Sequence, residues 1–490
     1  MRPSRITEPL VRGARPLLRR LPAGDLTRGV VTLVTGTTVS QAILVVTAPI
    51  LTRIYSPSDV GTFGVAFSIM SILVTMTALR YDAAVALPGT DEDAANVLAL
   101  AVLTCLVVSL VSAVALLVVG PWLVSVLGVA ALAPFVALIA LDQLAGGVMS
   151  SFTNWAVRTR SFREIATSRM TQSVTVVAAQ IGLGFAGLGA FGLLVGDVIG
   201  RTTGTLRLAR AAWATHRLAL RQVSIRQIRA AARRYRRFPI YSSGSALVNA
   251  LGVEAPLLLL VAVYGDAVGG QYALAQRIVA LPVTLVATAV GQVFYSEGAR
   301  LVRDRPADLR QLYGRTTRSL TLVAVGPGLL LAVLAPILAA PVFGEAWQTA
   351  GWYVTILAPM YVLQLVTSPT GGLLDILERQ DLHAIREVLR LVLVGGAIAV
   401  AAILRLPAIA AVAILSVAGC LSYVAYGLFS RYALLRHRAH EQQFTLATDD
   451  QEGREIRPDE VVPSSPNGRH DHIPDGDDSE VGQGADARNG

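Results

Sequence analysis

The chain has 490 residues, of which 53% are hydrophobic and 15% charged, and its formal net charge is +9. A soluble protein of this length is usually nearer a quarter charged, so the composition excludes an ordinary soluble domain. Apolar segments of about twenty residues recur along the chain, and each is long enough to cross a hydrocarbon core of about 30 Å. The sequence therefore predicts an all-α polytopic membrane protein.

We predict about twelve membrane spans, in two groups of six separated by a basic linker. The first group lies within 28–211 and comprises 29–51, 61–79, 94–118, 132–156, 166–186 and 189–209. The second group lies within 239–431 and comprises 240–263, 270–296, 317–340, 350–373, 386–404 and 408–430. Segment 1–27 is basic and shows no signal-peptide core, and the polar segment 437–490 is predicted to be a disordered cytoplasmic tail.

The positively charged residues, all of them Arg, cluster at alternate ends of the predicted spans. Arg158, Arg160 and Arg163 follow the fourth span, and another Arg-rich segment, 300–318, follows the eighth. The opposite ends of the spans hold few arginines, Arg405 among them. The positive-inside rule then predicts that both termini lie in the cytoplasm.

The linker 212–238 contains a basic amphipathic segment, Leu218 to Phe238. Apolar residues such as Leu220, Ile228 and Tyr235 can share one helical face, with arginines around the rest. Such a helix is typical of segments that lie on the inner leaflet and bind anionic membrane lipids. The alternative is a linker that only satisfies the topology rule. Nucleic-acid binding is not expected in this membrane setting.

One motif occurs twice, once near the start of each group of spans. Segments 61–69 (GTFGVAFSI) and 270–278 (GQYALAQRI) both read Gly-x-aromatic-small-aliphatic-Ala-x-x-Ile. Each follows a Tyr and a short loop that contains an Asp, and each opens an apolar span. The match predicts an internal duplication of a six-helix unit, a common feature of membrane transporters, although nine loosely matched positions can also arise by chance.

No nucleotide-binding Gly loop, metalloprotease motif or nucleophile elbow is present, so we predict no catalytic site, metal or cofactor. Function is expected instead among polar residues inside the spans, because they are costly in hydrocarbon and usually face a cavity or a partner. Asp197 and Arg201 stand four apart and can form a structural pair. Arg277 and Glu254 either pair with each other or line a cavity. The polar residues Gln276, Gln292 and Asn249 are further cavity candidates, or interhelical hydrogen-bonding groups.

Three parts of the sequence resemble the bacterial polysaccharide transporter family. They are 51–64 (LTRIYSPSDVGTFG), 79–88 (LRYDAAVALP) and the eighth-span region, 272–282 (YALAQRIVALP) with 291–295 (GQVFY). Members of that family are flippases for O-antigen and exopolysaccharide repeat units, within the multidrug/oligosaccharidyl-lipid/polysaccharide exporter superfamily. The resemblance implies two six-helix bundles around a central cavity.

The resemblance also implies a substrate, an undecaprenyl-diphosphate-linked oligosaccharide that moves from the inner to the outer leaflet. Arg277 and Arg53 are then the cations expected to meet the diphosphate, since guanidinium groups match phosphate oxygens well. Asp142, Asp197 and Glu254 are candidates for proton or Na⁺ coupling, or for holding helices together. A polysaccharide polymerase or glycosyltransferases are possible protein partners.

Two other functions remain open at this point. One is another exporter of the same superfamily, either a lipid II flippase or a cation-coupled drug exporter. The other is a non-transporting membrane partner in polysaccharide assembly.

Overall fold

The computed structural model describes residues 25–127, 135–239, 243–304 and 306–455. Contacts divide the chain into two compact units, Met1–Arg438 and Ala439–Gly490, and the helical bundle belongs to the first. Every regular element within the described ranges is helical, and none is a strand. The expectation of an all-α protein is therefore confirmed.

The first half of the unit contains the long helices of the first predicted group and short helices between them. In chain order they are α1 (Asp25–Val46), α2 (Ala48–Ile54), α3 (Pro57–Thr77), α4 (Tyr81–Ala84), α5 (Asp91–Leu127), α6 (Val136–Arg158), α7 (Phe162–Phe185) and α8 (Gly189–Arg221). Pro49 occupies the first turn of α2, directly after the break that separates it from α1. The first predicted span therefore consists of two helical segments, α1 and α2.

The linker forms α9 (Ile225–Arg234), after which the second half begins. Its helices are α10 (Ser243–Tyr264), α11 (Asp266–Asp304), α12 (Pro306–Phe343), α13 (Gln348–Thr367), α14 (Gly372–Ile376), α15 (Gln380–Ile403) and α16 (Ala408–Glu455). Pro256 lies inside α10, which continues through it.

Nine helical segments in the described part of the chain are long and apolar enough to cross a membrane. The protein is thus a multi-pass membrane protein. The predicted fifth, sixth and eleventh spans coincide with α7, α8 and α15, which are long helices outside that set of nine. The count of twelve spans, like the orientation of the termini, stays a prediction.

Short turns define one end of the bundle, which we call the Gly61 end. Ser56 begins α3 with a capping box, in which its hydroxyl accepts from the Asp59 amide and Asp59 accepts from the Ser56 amide. The other oxygen of Asp59 accepts from the Ala190 amide at 3.1 Å, at the start of α8. Tyr55 donates to the Gln180 carbonyl at 2.6 Å, and burial raises the pKa of Tyr55 to about 12, with Asp59 adding to the effect. The Gly61 end is therefore held by specific caps.

Apolar packing differs between the two ends. The largest buried cluster joins both halves, with Val65 and Met70 of α3 packed among Leu257, Tyr272 and other residues of the second half. At the opposite end, which we call the Arg-rich end, separate clusters form within the first half and its linker and within the second half. The described halves are thus joined at the Gly61 end and in the middle.

Two sequence-based expectations differ from the structure. The segment Leu218 to Phe238 is not one helix, because α8 ends at Arg221 and α9 starts at Ile225, and its apolar face packs on protein. Helix α16 extends to Glu455, into the segment predicted to be disordered; residues 456–490 lie outside the described ranges.

Candidate functional site

The two copies of the repeated motif meet at the Gly61 end. A Cβ atom on Gly61 would lie 1.8 Å from the Asp266 carbonyl oxygen, and one on Gly270 would lie 1.8 Å from the Pro57 carbonyl oxygen. Pro57 and Asp266 stand four residues before the two glycines, so the contact is reciprocal. Only a residue without a side chain permits this approach of α3 to α11. The reciprocity favours the duplication predicted from the sequence.

Further contacts tie the halves together at the same end. Trp347 donates its indole N–H to the Thr52 carbonyl at 2.8 Å, and Arg53 donates to the Pro341 carbonyl at 3.2 Å. Arg53 was predicted to bind substrate in a cavity. In this conformation it is exposed and links α2 to the end of α12.

Glu254 and Arg277 lie near the middle of the bundle but do not pair with each other. The Ser68 hydroxyl donates to Glu254 Oε2 at 2.8 Å, which joins α3 of the first half to α10 of the second. Ser71 also lies within hydrogen-bonding reach of the same carboxyl group. Arg277 donates instead to the Leu44 carbonyl of α1 at 3.1 Å. The contacts of these two residues therefore do not include the Glu254–Arg277 pair, which was one of the two alternatives predicted from the sequence.

Arg277 lies on α11 where the two halves meet. It is about 16 Å along α11 from Asp266, which is close to mid-membrane depth. Its side chain is exposed, and its hydrogen bond to the Leu44 carbonyl places it between α11 of the second half and α1 of the first.

Asp142, Asp197 and Arg201 form a buried ionic group within the first half. Arg201 Nε lies 2.9 Å from Asp142 Oδ2, and Arg201 Nη2 lies 3.0 Å from Asp197 Oδ2. The Asp142 side chain is fully buried. The sequence indicated the Asp197–Arg201 pair but not the third member, which comes from another helix.

A second buried ionic group, in the other half, was missed by the sequence analysis. Glu387 of α15 is 4% exposed and contacts both Arg386 and Arg390, and the Arg390 distance is 2.7 Å. Arg390 also donates to the Asn249 carbonyl and side-chain oxygens at 2.9 and 3.1 Å. Asn249, a predicted cavity residue, is therefore engaged in joining α10 to α15. The available signal in the sequence is the pair of arginines four apart, with an acidic residue beside the first of them.

The remaining candidates occupy different environments. Gln276 is half-buried and hydrogen-bonds with the Tyr361 hydroxyl, whereas Gln292 is exposed. Among the residues that the structure describes, no group of three His, Cys, Asp or Glu side chains is arranged to hold a metal ion.

Comparison with known proteins gives matches in both sequence and fold. A family model described as "Polysaccharide biosynthesis protein" matches residues 50–351. The succinoglycan biosynthesis transport protein ExoT of Rhizobium meliloti is 27% identical over 341 residues, which cover 69% of this chain and 66% of that protein. The amylovoran biosynthesis protein AmsL of Erwinia amylovora is 27% identical over 137 residues, 28% of this chain and 34% of that protein. The chain thus matches from one third to two thirds of these relatives' lengths.

Solved structures share the fold. The lipid II flippase MurJ in an inward closed conformation aligns with a TM-score of 0.65 at 10% identity, covering 83% of this chain and 89% of that one. An inward-facing multidrug resistance MATE family transporter of the MOP superfamily aligns with a TM-score of 0.62 at 15% identity, covering 83% and 94%. At these identities the likeness is evidence of fold alone.

Proposed function

The chain belongs to the family of polysaccharide biosynthesis proteins, and from that membership we propose that it is a flippase for lipid-linked oligosaccharides. The proposed substrate is an oligosaccharide repeat unit on undecaprenyl diphosphate, moved from the inner to the outer leaflet of the cytoplasmic membrane. Relatives named for succinoglycan transport and amylovoran biosynthesis support a polysaccharide role. The fold shared with a lipid flippase and a drug exporter supports transport rather than catalysis.

The observation that carries the proposal is the position of Arg277. A diphosphate headgroup needs a cationic partner inside a shielded cavity, and a guanidinium can bind two phosphate oxygens at once. Arg277 offers this group at about mid-membrane depth, with an exposed side chain that lies between α11 and α1. Its hydrogen bond in this conformation goes to a backbone carbonyl. A phosphate oxygen can replace that weak partner without separating an ion pair.

The closed Gly61 end supports a direction for substrate entry. Backbone contact between Gly61 and Gly270 seals that end, while the apolar clusters at the Arg-rich end belong to one half or the other. The positive-inside rule assigns the Arg-rich end to the cytoplasm. In this conformation the substrate would enter from the inner leaflet.

Glu254 is the better candidate for ion coupling. It bridges the halves through Ser68, so binding of a proton or Na⁺ there changes the strength of a contact that must break for the protein to open. Asp142 and Asp197 share Arg201 within one half and are better suited to a structural role. Energy coupling through Glu254 is part of the proposal.

Substitution of Arg277 tests the proposal. Arg277→Gln should reduce surface polysaccharide by about 10- to 100-fold, because hydrogen bonds to a charged group contribute about 1.5–3 kcal/mol. Arg277→Lys keeps the charge but loses the two-point geometry, so partial transport should remain. Surface polysaccharide is measured in strains that carry each variant as the single copy, with membrane protein levels checked by immunoblot. Arg405→Gln, an exposed arginine at the Gly61 end, is the matched control.

A double substitution separates substrate binding from a structural role in another conformation. If Arg277 and Glu254 pair when the protein opens at the Gly61 end, adding Glu254→Gln to Arg277→Gln should restore folding and transport. A substrate site predicts no such rescue. Wild-type polysaccharide from the strain with Arg277→Gln alone would refute the role of Arg277.

Reconstitution distinguishes the alternative functions. Purified protein in vesicles should move a labelled undecaprenyl-diphosphate oligosaccharide across the bilayer. Movement of lipid II or of a cationic drug alone would favour another exporter of the superfamily. No movement of any substrate, together with retained binding to a polymerase or glycosyltransferase, would favour a non-transporting partner.

A further inference from the structure

The linker helix α9 cannot insert its apolar face into the bilayer, because that face is already covered. Ala231 and Tyr235 are buried in a cluster with residues at the start of α5. Polar contacts fix the arrangement: Asn96 Nδ2 donates to Gln227 Oε1 at 2.8 Å, and Asn96 Oδ1 accepts from the Ser224 amide at 3.0 Å. The arginines of α9 are left exposed. Apart from the exposed Ile225, α9 therefore presents mainly its arginines to the lipid headgroups.

An apolar groove of about 540 Å³ lies beside this linker. Its walls come from the first turns of α5, from α6 and from the last turns of α8, and residues after α8 close it on the linker side. The apolar lining includes Leu98, Val102, Leu206 and Leu220. Arg210 is the charged residue among the side chains that line this groove. Such a groove fits a hydrocarbon chain with an anionic group at one end.

The depth of Arg210 matches the level of lipid phosphates. Gly189 starts α8 at the Gly61 end, and Arg210 lies about 32 Å along the helix from it. A hydrocarbon core is about 30 Å thick, so Arg210 reaches the headgroup level at the Arg-rich end. Trp213, which is half exposed and lines the same groove, has the amphipathic side chain typical of that level.

We propose that this groove binds one anionic phospholipid of the inner leaflet, with an acyl chain against the apolar walls and the phosphate on Arg210. The exposed Arg207 and Arg217 on α8 strengthen the positive field around that phosphate. Binding would hold α5, α8 and the linker together at the Arg-rich end. The site is separate from Arg277, and the proposal does not depend on flippase activity.

Native mass spectrometry of the purified full-length protein tests the site. The protein is released from nanodiscs that contain equal amounts of phosphatidylglycerol and phosphatidylcholine, and the lipids retained are counted. We expect one phosphatidylglycerol to be retained in preference to phosphatidylcholine. Arg210→Gln should weaken that retention about fivefold, since a basic residue near the surface contributes about that factor. Ala99→Phe, which fills the groove, should displace the lipid altogether.

Arg315→Gln on α12 is the matched control, because it removes one exposed arginine elsewhere. Retention unchanged in this control, weakened by Arg210→Gln and lost with Ala99→Phe would support the site. Equal retention of the two lipids by the wild-type protein would mean ordinary annular lipid and would overturn the proposal. An effect of Arg210→Gln no larger than that of Arg315→Gln would overturn it as well.

Discussion

At the scale of single residues, Arg201 illustrates how a buried charge depends on its partners. One guanidinium serves two carboxylates, of which Asp142 is fully buried. Arg201→Gln should lower the free energy of unfolding by about 3–5 kcal/mol, because it leaves buried carboxylates without a counter-charge. Asp142→Asn should cost less, since Arg201 keeps Asp197. Thermal unfolding of the purified variants checks the order, and a greater loss from Asp142→Asn would contradict it.

The same residues show what sequence can and cannot reveal. Asp197 and Arg201 are predictable because helical periodicity brings residues four apart to one face. Asp142 is not predictable as their partner, because its position depends on how α6 packs against α8. Arg277 was recognised as unusual from its place in an apolar span, but its contact with the Leu44 carbonyl depends on tertiary structure.

At the scale of helices, the approach of α3 to α11 depends on two glycines. Gly61→Ala places a methyl group where the Asp266 carbonyl now lies, so the two helices must separate at this end. We expect the variant to favour a conformation open at the Gly61 end. A cysteine at position 277, in a background without the two native cysteines, should then react with a membrane-impermeant maleimide added from that side.

Gly182→Ala on α7 is the control for that experiment, since a Cβ there meets nothing within 4 Å. It should leave labelling unchanged. Replacing Gly by Ala favours the helical conformation by about 1 kcal/mol at either position, so both variants share this effect. Gly270→Ala should reproduce the effect of Gly61→Ala, because the contact is reciprocal. Labelling at the unaltered wild-type level in both motif variants would mean that this contact does not close the end.

The linker shows why element-level prediction failed in one place. Its arginines and apolar residues were correctly read as an amphipathic pattern, and the structure keeps its apolar face buried. The error concerned what covers that face. An amphipathic pattern predicts that an apolar face will be buried, but either protein or lipid can cover that face. Here the start of α5 covers the apolar face of the linker, and hydrogen bonds from Asn96 add to the apolar packing.

At the scale of the molecule, hydrogen bonds indicate at which end of the bundle α7, α8 and α15 turn. The Ala190 amide at the start of α8 binds Asp59, so the turn between α7 and α8 lies at the Gly61 end. Tyr264 donates to the Leu406 carbonyl at 3.0 Å, so the turn after α15 lies at the end where α10 meets α11. These contacts favour membrane crossing by α7, α8 and α15, although these helices are not among the nine apolar segments.

Reporter fusions test this topology. With twelve spans and the N-terminus inside, the external reporters are those fused near Asp59, Gly187, Asp266, Glu345 and Arg405. The cytoplasmic reporters are those fused near Asp91, Arg229, Asp304 and Glu378. If α7 and α8 stay on one side as a hairpin, Gly187 alone should report the cytoplasm. If α15 does not cross, Glu378 and Arg405 should report the same side. Either result would break the two-fold relation between the halves, because the duplicated motif requires the same number of crossings after each copy.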